Sequence, residues 1–146
     1  MIFRFFIATL LAATIFGCND DIPLSEIPSV VENTFKSHFP DAVNVEWETH
    51  HNDFEVDFEM ESTDYSAIID QTGTMAGYKY EIANEKIPAS IINVLNTKYS
   101  QKWEDPEILI HGENSYFQIE IDGFLKDKNI VLDREGKLID NIKNWN

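Results

Sequence analysis

Phe54-Glu55-Val56-Asp57-Phe58-Glu59-Met60 is the stretch on which the reading of the fold turns. Apolar and acidic residues alternate without a break. A period of two is that of a β-strand with one face packed and the other in water. The same pattern returns 63 residues later as Phe117-x-Ile119-x-Ile121. The turn that follows the first strand, Asp70-Gln71-Thr72-Gly73, also returns 63 residues later as Asp133-Arg134-Glu135-Gly136. Upstream, Ile27-Pro28 recurs 60 residues on as Ile87-Pro88. A constant offset across a strand and its turn points to a duplicated module.

Each module opens with a helix. Ile27, Val30, Val31, Thr34, Phe35, His38 and Phe39 follow helical spacing, and so do Ile87, Ile91, Val94, Leu95 and Tyr99. Pro28 and Pro88 suit the first turn, and Pro40 stops the first helix. Alternation then predicts strands over 43–48, 54–61, 65–70 and 74–82, and again over 107–111, 115–122, 128–133 and 137–142. Gly73 and Gly136 fall where a three-residue hairpin needs a left-handed residue. The expected fold class is α+β: two tandem helix-β-β-β-β repeats, 25–82 and 86–143, sharing one antiparallel sheet with both helices on one face. A single copy would bury too little surface to be comfortably stable.

The beginning of the chain reads differently. Arg4 precedes an apolar run from Phe5 to Phe16, too short for a membrane span and right for the core of a signal peptide. The run ends in Ile15-Phe16-Gly17-Cys18. This resembles a bacterial lipobox and marks Cys18, the single cysteine, as a lipidation site. The expected domains are a signal peptide at 1–17, a tether at 18–24 and a folded domain at 25–143. Asn19-Asp20-Asp21 resembles a surface-export tag, and reads equally as a solvated linker. The expected address is the cell envelope, as an outer-membrane lipoprotein facing the periplasm or the surface. The formal net charge is −15, with 26 acidic residues against 11 basic ones. Such a chain repels nucleic acid and anionic head groups, and favours cationic partners or a loosely held divalent ion.

The Ile-Pro start, the Trp47 after the first helix, the Phe54-x-Val56-x-Phe58 strand and the Asp70-x-x-Gly73 hairpin resemble the PepSY-like family, also described as β-lactamase-inhibitor-like. The resemblance spans 25–143 as two copies. It implies an exported bacterial protein that binds or inhibits rather than catalyses. It carries over no functional residue, because the matching positions are those that build the fold.

The candidate binding face is acidic. Glu46, Glu48, Glu55, Asp57, Glu59 and Glu61 project from the first module, joined by Gln118, Glu120 and Asp122 from the second. Carboxylates two residues apart on a strand lie roughly 7 Å apart and repel unless a cation, a basic partner or water intervenes. No EF-hand spacing is present, and no cofactor motif. His50 and His51, adjacent on a strand, would point to opposite faces and make poor joint ligands. Gly-x-Ser-x-Gly, His-Glu-x-x-His and phosphate-loop motifs are absent. Trp47 and Trp103 read as packing residues. Trp145 lies outside the repeat and reads as exposed. The leading expectation is a lipid-anchored, non-enzymatic protein that contacts a protein or cationic peptide, inhibitor-like in one version. Its rivals are a carboxylate-based envelope hydrolase and a structural accessory subunit of an envelope complex.

Overall fold

The computed structural model describes residues 21–99, 102–123, 126–140 and 142. The leader, Cys18 and Trp145 lie outside the described residues. Helix α1 runs Ser29–His38 and α2 runs Ala89–Lys98, each preceded by a 3-10 turn at Leu24–Glu26 and Asn84–Lys86. Pro28 and Pro88 stand immediately before the helices with φ of −58° and −59°. That is the value the proline ring imposes, so each chain enters its helix already set. Residues four apart share a helix face, so Ile27, Val31, Phe35 and Phe39 form the buried stripe of α1, with Ile87, Ile91 and Leu95 as that of α2. His38, expected on the stripe, is exposed, and its ring nitrogen instead lies 2.8 Å from the Thr34 carbonyl. Val30 is also outside the core, at 47% exposure.

Among the described residues seven strands follow one another as a meander: β1 Val43–His50, β2 Asp53–Met60, β3 Thr63–Ile69, β4 Met75–Glu81, β5 Trp103–His111, β6 Asn114–Ile121 and β7 Lys128–Leu132. Every neighbouring pair is antiparallel. Val56, Ala67, Tyr78 and Ile110 are opposite one another in register, as are Tyr80, Ile108, Phe117 and Leu132. Antiparallel partners share a face, so these residues define one side of the sheet. Against it, α1 packs with Trp47, Val56, Phe58, Ala67 and Ile69, and α2 packs with Phe117, Ile119, Ile130 and Leu132. Trp47 is core, and Trp103 is partly buried against the second cluster.

Local devices match between the halves. Asp70 Oδ1 accepts from the amides of Thr72 and Thr74, and Asp133 Oδ1 accepts from those of Glu135 and Lys137. Gly73 and Gly136 have φ of 84° and 83°. Bulges interrupt β1 between Val43 and Glu46 and β5 between Glu104 and Glu107. Asn44 and Asp105 sit inside them at φ 52° and 46°. Ile22 donates its amide to the Trp47 carbonyl at the sheet edge, and Ile82 donates to that of Pro106 in mid-sheet.

Three expectations differ from what is observed. First, the described residues of 137–142 form no eighth strand. Among them Leu138 makes an isolated bridge to Leu132, while Ile139 and Ile142 pack on the other side of the sheet. Its apolar residues fall at 138, 139 and 142, which breaks strict alternation. Second, β5 begins at Trp103 rather than 107, because the bulge absorbs Asp105 and Pro106, where a strand tolerates proline. Third, the end of the 18–24 segment is engaged: Asp21 bridges Glu48, and Ile22 packs on the first core.

Candidate functional site

The side of the sheet away from the helices divides in two. Over its first half lies an open depression of about 470 Å³. Glu46, Glu48, Glu55, Asp57 and Glu59 from β1 and β2 line it, with Asp64, Ser66, Lys79, Glu81 and Glu107 from the three strands that follow. Five acidic pairs are directly opposed in register across the sheet: Glu46 with Asp57, Glu48 with Glu55, Glu59 with Asp64, Glu81 with Glu107 and Glu104 with Glu120. Like charges in that relation oppose folding.

Some of these carboxylates are held internally. Glu55 Oε2 lies 2.8 Å from His50 Nδ1, and Glu55 Oε1 accepts from Ser66 Oγ at 2.9 Å. Glu107 Oε1 is 3.0 Å from Lys79 Nζ, and Glu107 Oε2 accepts from Gln118 Nε2 at 2.8 Å. Glu59 Oε2 accepts from Asn44 Nδ2 at 3.0 Å. Glu46 and Asp57 are exposed. Glu81 reaches water, yet its carboxyl is held above the ordinary 4.5, first by desolvation and then by Asp64, Glu107 and Asp105, with Lys79 opposing.

Four of the expected face residues, Glu61, Gln118, Glu120 and Asp122, lie outside this depression. Glu61 is in the β2–β3 turn at φ 51°, so strand alternation no longer aims it at the face. Gln118 is fully buried. It is opposite Val131, which packs with Ile68, Leu109 and Ile142. The second half of this face is therefore a small apolar core closed by the C-terminal segment, and is not left to water as the alternation implied. Asp122 is exposed at the far end of the sheet.

There Glu104, Asp105 and Glu120 have carboxylate oxygens within 4.8 Å of one another. Repulsion from Asp122 and then Asp105 raises the Glu104 carboxyl above 4.5, and desolvation followed by Asp127 raises that of Glu120. Oxygen-only groups of this kind suit hard cations such as Ca²⁺. Sequence reading found Glu120 and missed the others. The bulge that gathers Glu104 and Asp105 has its sign in Pro106 within a strand pattern. Asp64, Lys79 and Glu81 were missed although they alternate in phase with Ser66 on their strands.

His50 and His51 also depart from expectation. His51 takes φ 59° in the hairpin, which breaks the alternation, and the two ring centroids stand 4.7 Å apart.

No protein-family model matches the chain, and no curated protein matches it in sequence. Solved structures share its fold. A provisionally periplasmic protein of Bacteroides eggerthii superposes with a TM-score of 0.69 at 15% identity, over 77% of this chain and 85% of its own. A DUF2874 family protein of Bacteroides uniformis gives 0.68 at 18% identity, over 77% and 86%. A BLIP-like protein of Bacteroides fragilis gives 0.65 at 15% identity, over 81% and 84%. The fold is thus BLIP-like: α+β, with two helices on a seven-stranded antiparallel sheet.

Proposed function

We propose that this chain is a non-enzymatic binding protein of the bacterial envelope, anchored by a lipid on Cys18, that docks a cationic protein or peptide in its acidic depression. The observation that carries this reading is the repeated opposition of carboxylates across one sheet face. Such a face is poorly compensated from within and gains from a basic partner. The depression is open, which suits an extended surface contact more than an enclosed reaction chamber. The leader pattern and the provisional periplasmic assignment of one structural neighbour support the address. The matching hairpins, bulges and proline entries support a tandem PepSY-like duplication, whose second copy has given up its last strand.

The test uses Glu46→Gln together with Asp57→Asn, two exposed residues opposed in register. Capture with the full chain from envelope extract supplies a partner, and association rate is then measured against ionic strength. The double variant is expected to slow association severalfold and to flatten its salt dependence. A wild-type rate indifferent to salt and to both substitutions refutes the reading.

A further inference from the structure

We propose that His50 and His51 form a two-imidazole site for a divalent first-row transition ion, with Zn²⁺ as the type, at the β1–β2 hairpin. Neighbouring strand residues would diverge, but the left-handed turn at His51 brings the rings to a centroid separation of 4.7 Å with planes inclined by 58°. A metal-bound imidazole has its centre about 3 Å from the ion, so two rings on one tetrahedral ion have centres about 5 Å apart. The observed centroid separation is close to that spacing.

A second observation concerns how His50 is held. Its Nδ1 faces Glu55 Oε2 at 2.8 Å, and Ser66 fixes the other oxygen of that carboxylate. An acceptor at Nδ1 keeps the proton there, and in the neutral ring it leaves the lone pair on Nε2. This carboxylate–imidazole arrangement is what orients metal-ligating histidines in general. Asp53, opposite His50 in register, and Glu48, two residues before it on the same strand, add negative charge on the same face. The His51 ring is exposed, so water can complete the coordination. The site abuts the acidic depression, which Glu48 and Glu55 also line, but holding a metal ion requires no cationic peptide.

The probe is Zn²⁺, titrated calorimetrically into the full chain with excess Mg²⁺ present to occupy carboxylates. One saturable site is expected. His50→Ala and His51→Ala should each weaken it at least tenfold, and Glu55→Gln should weaken it about tenfold through loss of orientation. His38→Ala and His111→Ala should leave it unchanged. Cu²⁺ bound to the unmodified chain gives a readout independent of any variant's folding: its electron paramagnetic resonance should show two nitrogen ligands. The proposal is overturned by absence of saturable Zn²⁺ binding under Mg²⁺, by affinity in either histidine variant equal to that of the unmodified chain, or by a copper spectrum with fewer than two nitrogens.

Discussion

The two halves of this molecule share a frame and differ in what lies on each side of it. Under α1 the core is aromatic: Phe35 meets Phe39, Trp47 and Phe58 at centroid distances of 5.8, 5.4 and 5.0 Å. Under α2 it is mainly aliphatic, built on Ile91, Leu95, Ile119, Ile130 and Leu132 with Phe117. On the other side, the first half leaves an acidic depression open, while the second is closed by Ile139 and Ile142 over Val131 and Leu109. Entry prolines, hairpins and bulges therefore tolerate very different loads.

The sharpest way to separate the halves is through their cores. Phe35→Ala should cost about 3–5 kcal/mol and Leu95→Ala about 2–5 kcal/mol, read as ΔG from urea unfolding. Phe35 should be the worse of the two, since three ring contacts go with it. An equal or reversed order would mean that the aromatic cluster adds nothing beyond its volume.

The hairpin glycines test whether the frame is equivalent in both halves. A Cβ on Gly73 would stand 2.6 Å from Val30 Cγ2, and one on Gly136 2.9 Å from Val94 Cγ2. Both also require a left-handed backbone, which costs a side-chain-bearing residue roughly 1–2 kcal/mol. Gly73→Val and Gly136→Val should each lower stability by more than that, with Gly73 the more sensitive. A neutral result at either would show that its helix yields and that the hairpin–helix contact is loose.

These contacts explain what could be read in advance. Gly73, Gly136 and the alternation of 54–60 announce themselves because a local backbone state demands a residue type. The fate of 137–142 does not, since the segment packs on a patch formed from Val131 on the preceding strand with Ile68 and Leu109 on two distant ones. Gln118 looked solvent-facing for the same reason. The His50 and His51 rings stand close because alternation ends at His50 and His51 already lies in a turn.

The smallest effect should be with pH, and it differs by region. Glu81, in the first depression, and Glu104 and Glu120, in the second half, have carboxyls raised above 4.5, so the folded state binds their protons more readily than the unfolded chain. Stability should therefore rise as pH falls from neutral through those raised values towards 4.5. Asp70 works the other way. Hydrogen bonds from the Thr72 side chain and the Thr74 amide hold it below 3.8, so its contribution is present above 3.8 and is lost as pH falls through its lowered value. Urea midpoints at pH 7 and pH 5 check the sign, and Glu104→Gln with Glu120→Gln should flatten the rise.

The bulge in β1 acquires a further meaning from its position. Its counterpart in β5 lies in mid-sheet, between two paired neighbours. In β1 the same kink falls on an outer strand that exposes Val43 at 52% and Val45 at 38% beside Leu24. A flat, apolar outer strand is a template for fibril growth. Asn44 in its left-handed conformation bends that template, and the Asp21–Glu48 bridge with the Ile22–Trp47 hydrogen bond occupies part of what is left. A device that gathers acidic side chains in mid-sheet in the second half thus, on the outer strand of the first, works against edge-to-edge pairing with another chain.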